Sequence, residues 1–474
     1  MSPVADGKPE WFALRRGEVG YRLDPHFHRP RFRHLIGVMT ELGATALGAI
    51  VQRSDEVWVK TDGRFTIEFP YIEISAVGLG TNEYTVEPTP FEGAPSRARQ
   101  VVKANDILVS LTRPHRGAIA LVRASDDGAI ASTGFAMLRN MKRTDVNRDY
   151  LLCTLGSRFG LEQLLMRSSG GSYPAITEDE LDRILIPIPD ERKQRELVAA
   201  MDAARSARRV KLAKADALLA DMDDFVIATL EISPPPVDGP KVFALPSSVC
   251  RSTGRCDVSF HLPYYRHVAA ALKKSDVPKL PLGELSPEIV GGATPTKGSL
   301  EFYVDSGIKF LRILNVKANE FDLSDLNFIK PEIHQGDLKR SQLDAGDVLM
   351  TITGRVGNAA VVTQDLLPAN INQHIVRLRI VLPDVLPEYL AAYLNTSIGL
   401  AMSNRGVTGG TRIALDYGTI RALSIPMPSL IIQRRIAEDV ARRREQARRL
   451  RQQADAEWQT AKTEFEAALL EGRK

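Results

Sequence analysis

The sequence predicts an α+β fold: two mixed α/β domains separated by an antiparallel pair of long helices, related by a pseudo-twofold internal repeat. Three observations predict it. An ordered series of segments from the first half recurs in the second half. Each half ends in about 40 residues without proline or glycine, in which apolar residues recur every three or four positions. Before each such stretch, short aliphatic runs are bounded by turn residues, as buried strands are.

The repeat begins with YRLDPHFHRPRFRHL (21–35) and GRCDVSFHLPYYRHV (254–268). Arg22, Asp24, Phe27, His28, Pro30, Arg33 and His34 recur 233 residues later as Arg255, Asp257, Phe260, His261, Pro263, Arg266 and His267. NDILVSLTRPHRGAIALV (105–122) then matches GDVLMTITGRVGNAAVV (346–362). DYLLCTLGSRFG (149–160) matches EYLAAYLNTSIG (388–399), SSGGSYPAIT (168–177) matches VTGGTRIALD (407–416), and ILIPIPDERKQREL (184–197) matches LSIPMPSLIIQRRI (423–436). These last three share an offset of 239, and the drift from 233 is what a few loop insertions give.

DILVSL and DVLMTI read as short buried strands. YLLCTLGSRFGLEQLL and YLAAYLNTSIGLAM each read as one amphipathic helix packed on them. IPIP and IPMP are short extended pieces, because proline fixes φ and pushes its predecessor out of the α region. The expected organisation is a first globular domain over 1–190, a spacer helix over 191–232 and a proline-rich linker over 233–240. A second domain over 241–429 and a second spacer helix over 430–474 follow.

In the first helix Leu197, Met201, Ala204, Leu218, Met222 and Phe225 make an apolar stripe. In the second, Ile436, Val440, Ala447, Leu450, Ala454, Trp458, Ala461 and Phe465 do the same. Each stripe suits a partner helix, and about 40 residues make a rod of roughly 60 Å. Basic residues come early in both helices (Arg192 to Lys214, Arg434 to Arg451) and acidic ones late (Asp216 to Asp224, Asp455 to Glu466). A parallel pair would set like charge against like, so the expected pairing is antiparallel. Exposed pairs are individually weak and decide orientation more than stability.

Composition narrows the function classes. A chain of 474 residues, 44% hydrophobic and 25% charged, has the makeup of a soluble protein with at least two cores. No apolar run approaches the roughly 18 residues of a membrane span, and MSPVADGKPEWFALRR lacks an apolar signal core, so a cytoplasmic location and no membrane partner are expected. Cys153, Cys250 and Cys256 form no CxxC spacing and support neither a zinc site nor a disulfide framework. A net charge of +4 permits nucleic-acid binding without arguing for it. The architecture argues for it better: two similar globular units on a rigid spacer suit a linear polymer with two half-sites. On B-DNA, readers fall on one face when centred about 34 Å apart. Non-identical readers would take a split, asymmetric target.

The chain resembles the specificity (S) subunit of type I restriction-modification systems, over nearly its whole length. GGATPTKG (291–298) is similar to that family's Gly-Gly-Thr-Pro-Ser-like segment. GDVLMTITGRVGNAAVV resembles its Gly-Asp-Ile-Leu strand and glycine turn, and INQHIVRLRI, the TGGTRIALD loop and IPMP before the Gln-Arg-Arg helix follow in order. The first half departs from the pattern: IVQRSDEVWVKTDG stands where a GGTP segment would, and Tyr173-Pro174 replaces Arg412-Ile413. The resemblance implies a bacterial or archaeal DNA reader without catalysis, whose two recognition domains each read one part of a bipartite site on double-stranded DNA. It implies two methylation (M) subunits docked on the helices, and a restriction (R) motor-nuclease subunit joining for restriction. It implies no cofactor on this chain; S-adenosylmethionine belongs to the methylation subunits.

Arginine grips guanine and asparagine or glutamine grips adenine through paired hydrogen bonds, while lysine and arginine also anchor phosphates. The DNA-contact candidates in the second half are Thr294, Thr296 and Lys297 in the GGATPTKG turn, Thr353, Arg355 and Asn358 after the strand DVLMTI, and Thr408, Thr411 and Arg412 on the Gly-Gly loop. In the first half Arg113, His115 and Arg116 take the place of Thr353 to Arg355, and Ser172 and Tyr173 that of the loop. His26, His28 and His34 are closely spaced, but no second carboxylate or cysteine completes a metal shell, so a structural role is expected. Catalysis is not expected. Pro234-Pro235-Pro236 lacks the Asn/Asp and aromatic neighbours of a methyltransferase motif, and Glu191-Arg192-Lys193 opens a helix rather than lying on a nuclease strand. Two other readings remain: a similar reader in another phage-defence or methylation-only assembly, and a helical protein-binding scaffold. Salt-dependent DNA binding separates readers from scaffolds.

Overall fold

A computed structural model describes residues 12–15, 20–234, 242–295, 302–409 and 413–471. The chain forms two compact units, one of residues 1–211 with 452–474, the other of residues 212–451. Each is built from the α+β elements that the repeat predicts, and each has its own core. Most of the proline-rich linker, 235–240, lies outside the described residues. Among the described residues no helix is long and apolar enough to cross a membrane.

The first unit carries two four-stranded sheets. One has the order Val51–Arg53, Phe135–Met141, Ile107–Ser110, Ile119–Leu121, all antiparallel. The other has the order Glu87–Pro90, Glu68–Ile72, Ile130–Ser132, Ala98–Val101, with Glu68–Ile72 parallel to Ile130–Ser132. The second unit repeats the plan. Its first sheet runs Ile289–Gly291, Ile375–Leu378, Val348–Thr351, Ala359–Val361. Its second runs Tyr303–Val304, Asn327–Ile329, Ile308–Leu311, Ala369–Ile371, and again one pair is parallel, Ile308–Leu311 with Ala369–Ile371.

The central strands of the first sheets are the DILVSL and DVLMTI runs, buried along their length. The aspartate before each is buried too: Asp106 receives Nη2 of Arg139 at 2.9 Å, and Asp347 receives Nε of Arg379 at 2.8 Å. A buried carboxylate costs several kcal/mol unless it is paired, which accounts for the recurring arginine one strand away. Asn105 and Gly346, just before these aspartates, both take left-handed φ (69° and 90°), a conformation open to glycine and tolerated by asparagine.

The segments expected as single amphipathic helices are each two. Arg148–Leu155 gives way to Arg158–Arg167, and Pro387–Leu394 to Ser397–Arg405. The break is made by fresh N-caps: Ser157 accepts from the Gly160 N–H and Thr396 from the Gly399 N–H. The backbone then folds back so tightly that a Cβ on either glycine would collide with the preceding carbonyls, Leu155 in one case and Tyr393 in the other. The proline pieces are short strands, Leu185–Ile186 paired with Thr45–Ala46 and Ser424–Pro426 paired with Lys279–Pro281.

The long helices are Glu191–Thr229 and Leu430–Leu470. Within the first unit, Leu197 and Met201 share a core with Trp458, Phe465 and Leu469. Lys193 pairs with Glu471 at 3.1 Å, Arg208 with Asp455 at 3.2 Å and Lys211 with Glu457 at 2.7 Å. The early residue 193 meets the late residue 471, while 208 and 211 meet the earlier 455 and 457, so these segments are antiparallel. The second unit shows the same sense, with Asp216 paired to Arg451 at 2.8 Å, and Val226 and Ile227 sharing a core with Ile436 and Val440. The start of each helix is pinned by one buried amide. Gln194 donates to the carbonyls of Asp145 and Pro189 and accepts from the Asn147 N–H, each at 2.8 Å. Gln433 donates to Asp384 and Pro428, both at 2.9 Å, and accepts from the Leu386 N–H at 3.0 Å.

Candidate nucleic-acid interface

In the second unit the chain leaves the strand Val348–Thr351 at Ile352. The Ile352 N–H donates to the His374 carbonyl at 3.0 Å, and its carbonyl accepts from the Leu415 N–H at 2.9 Å. This stitches three segments together: the glycine turn, the turn 372–374 and the Gly-Gly loop. Thr353 bridges to Ala414, and Ala414 exchanges both backbone hydrogen bonds with Thr408 at 3.0 Å. Gly409 follows with φ 102°, where a side chain would be strained. The Thr353 hydroxyl lies 2.8 Å from Nδ1 of His374, and the Thr294 hydroxyl donates to Oε1 of Gln373. The glycine pair 291–292 makes the last approach possible: a Cβ on Gly292 would strike the carbonyls of Ile371 and Asn372.

Thr294, Thr353 and Thr408 are thus brought together, with Gln373 and His374 as members that the sequence reading passed over. Their signal is a polar break, Asn372-Gln373-His374, between two apolar strands, which marks a turn. Arg355 stands exposed on the adjoining turn. Asn358 faces inward, its amide nitrogen 3.5 Å from the Val316 carbonyl and its N–H donating to the Thr351 hydroxyl at 3.1 Å, so it shapes the turn rather than joining the cluster. Thr296, Lys297, Thr411 and Arg412 lie outside the described residues.

The first unit uses the same stitches. The Leu111 N–H donates to the Gly134 carbonyl at 2.7 Å, and the Leu111 carbonyl accepts from Ile176 at 2.9 Å. Ser169 exchanges both backbone bonds with Ala175 at 2.8 Å, Thr112 bridges to Ala175, and Gly170 has φ 98°. This register is the one that the matched segments set. Thr112 is the counterpart of Thr353, and Arg113 that of Gly354; both take positive φ, 48° and 65°. Arg113 is held there by its N–H to the Pro174 carbonyl at 2.7 Å and by Nη2 to the Ser172 carbonyl at 3.3 Å. Its guanidinium lies 4.1 Å from the ring centre of Tyr173, which is 71% exposed. Arg113, Ser172 and Tyr173 therefore form one group. Arg116 is exposed and lines, with Arg97 and Arg113, a cleft of about 580 Å³. His115 is half-buried, and burial, then the charges of Arg116 and Arg113, hold its imidazole below the usual value.

The repeated Arg-x-Asp and histidine motif braces both loops at their feet. Arg22 pairs with Asp24 at 2.7 Å and donates to the Arg167 carbonyl at 2.8 Å, and His28 Nε2 lies 2.7 Å from the Arg22 carbonyl. Arg255 pairs with Asp257 at 2.6 Å and donates to the carbonyls of Gly406 and Val407 at 3.3 and 3.2 Å, with His261 Nε2 at 2.7 Å from the Arg255 carbonyl. These histidines are thus bound to backbone. Among the described residues no group of three or more His, Cys, Asp or Glu is placed to hold a metal ion.

The two units thus repeat one stitched platform with exposed polar loops, and the second platform lies in a stretch that resembles a known family. Residues 274–441 match the family of type I restriction modification DNA specificity domains. The match lies within the second unit and agrees with the resemblance read there from the sequence. Over 140 residues the chain is 27% identical to the type I restriction enzyme EcoBI specificity subunit of Escherichia coli. That stretch is 29% of this chain and 28% of the relative, so the alignment spans little more than a quarter of either. Among solved structures, a chain from a type I R-M system studied for complex assembly and conformational transition is 23% identical, with a TM-score of 0.49, covering 91% of this chain and 97% of that one. The HsdS subunit from Thermoanaerobacter tengcongensis is 22% identical, with a TM-score of 0.35 and coverage of 91% and 96%.

Proposed function

We propose that this chain is the DNA specificity subunit of a type I restriction-modification complex, with one reader in each unit. One observation carries the reading: the two platforms share backbone stitches and differ in what they display. The first presents Arg113 stacked on Tyr173; the second presents Thr353 with His374, and Thr294 with Gln373. Shared geometry with unlike side chains is what two different half-sites require, because sequence is read by side chains on base edges while backbone and basic groups set the register. Thr296, Lys297, Thr411 and Arg412 extend the second reader, and Arg116 the first. The chain itself performs no catalysis; two methylation subunits carrying S-adenosylmethionine dock on the long helices, and a motor-nuclease subunit joins for restriction. The test is a map of modified adenines in the host genome with this gene present and deleted. A split, asymmetric motif that vanishes on deletion is expected, and a continuous palindrome would overturn the two-reader account.

A further inference from the structure

The second unit holds one exposed amide side chain on a tightly fixed turn. Gln373 is exposed on the turn 372–374, between the strands Ala369–Ile371 and Ile375–Leu378. Both sides of that turn are fixed. The Asn372 N–H donates to the Leu311 carbonyl at 3.0 Å, the His374 N–H donates to Oδ1 of Asn372 at 3.2 Å, and the His374 carbonyl accepts from Ile352. Asn372 itself is buried, so Gln373 stands on a backbone with little freedom. A glutamine on a flexible loop would spend side-chain entropy on binding. This one has part of its freedom removed in advance, because the Thr294 hydroxyl, from a separate segment, donates to its Oε1. That contact tethers the end of the amide to a second segment. Among the described residues no other hydrogen bond engages Oε1 or Nε2, which leaves a second lone pair and both hydrogens. No other described side chain in the cluster offers a donor and an acceptor side by side in one planar group: Thr294, Thr353 and Thr408 have single hydroxyls, and His374 Nδ1 is engaged by Thr353.

We infer that Gln373 reads an adenine in the second half-site, with Oε1 accepting from the adenine N6 amino group and Nε2 donating to N7. Thr294 is the positioning residue. The inference rests on the DNA-reader proposal above and adds to it the base and the residue. The first unit makes the contrast: by the stitch shared between Leu111–Gly134 and Ile352–His374, Thr133 holds the place of Gln373 and Gly134 that of His374. A threonine there cannot make the paired contact, so the corresponding base pair in the first half-site is read by other groups.

The test uses the full chain, tagged and purified from its own cells with the subunits that accompany it, and a pool of random-sequence duplexes. Bound DNA is sequenced for the natural chain and for Gln373→Ala, Gln373→Glu and Thr294→Val. Each base pair held by a good paired contact is discriminated by about 1–3 kcal/mol, so Gln373→Ala should flatten the preference at one A·T pair by about tenfold and leave the other positions unchanged. Gln373→Glu, which can only accept, should move that position toward cytosine, whose N4 amino group donates. Thr294→Val should relax the same position by a smaller factor. Thermal melting of each variant within a degree or two of the natural chain separates lost contact from lost fold. An unchanged motif for Gln373→Ala would overturn the inference while sparing the reader proposal, and so would a uniform loss at all positions, the mark of a phosphate anchor. A natural chain that selects no motif would overturn the reader proposal itself.

Discussion

Replacing Gln433 by methionine keeps the length and most of the volume of the side chain and deletes all three of its hydrogen bonds. In the folded chain these run to Asp384, Pro428 and Leu386 at 2.9, 2.9 and 3.0 Å, and Gln433 is 1% exposed. A buried backbone group left without its partner costs about 1–3 kcal/mol. Here Asp384 is exposed and Leu386 half-buried, so water recovers part of the loss at those two groups. The sum is about 2–4 kcal/mol. For a unit of this size that corresponds to a fall in Tm of about 5–12 °C. Urea denaturation of the full chain, followed by far-ultraviolet circular dichroism, measures it. Gln194→Met should cost a similar amount in the first unit, where the same three bonds recur at 2.8 Å. Because the two glutamines serve separate cores, the double variant should lose the sum. A loss below about 1 kcal/mol for Gln433→Met would show that the amide does not anchor the helix to the domain.

Three further outcomes are expected. Burial pushes the Cys153 thiol up to about 11, whereas Cys250 is half-buried and Cys256 exposed, so a disulfide reagent at pH 8 should label two thiols in the native chain and the third only after unfolding; fast labelling of all three would contradict the packing. The Asp257 carboxyl is held well below its usual 3.8 by hydrogen bonds from Arg255 and Ser259, so its stabilising effect is complete above that value and is lost as pH falls through the lowered one. The stability gap between the natural chain and Asp257→Asn should therefore be full at pH 7 and narrow steadily below pH 3.8, and a gap that ignores pH would refute the pairing. Arg412→Ala should relax recognition in one half-site only, read from the methylation motif, and equal loss at both would mean that its loop is misassigned.

Much of this molecule was legible because it is written twice. The matched segments located the paired strands and loops, and the polarity of early basic residues such as Arg208 and Lys211 against late acidic ones such as Asp455 and Glu457 gave the antiparallel sense that the ion pairs display. What pattern could not supply was the break at Gly156 and Asn395. There the apolar rhythm continues through a point where the backbone turns, and only the caps of Ser157 and Thr396 mark it. It also missed Gln194 and Gln433, which in a helix rich in arginine look like any other polar surface residue and are in fact enclosed. The matched segments set Arg113 against Gly354, but the left-handed φ the two share is something an arginine does not advertise. Gln373 was overlooked because its partner, Thr294, lies 79 residues away.

The first unit is closed by Trp458, Phe465 and Leu469, and the second is a continuous stretch of chain from 212 to 451. Synthesis therefore runs out of step with assembly. When residue 211 leaves the ribosome, the first core still lacks the side chains that seal it, and at about 5–20 residues per second they arrive tens of seconds later. The second unit, begun later, has its full complement before the first does. For that interval Leu197 and Met201 present an uncovered apolar stripe, and the opening half of the protein is a docking surface waiting for its own tail.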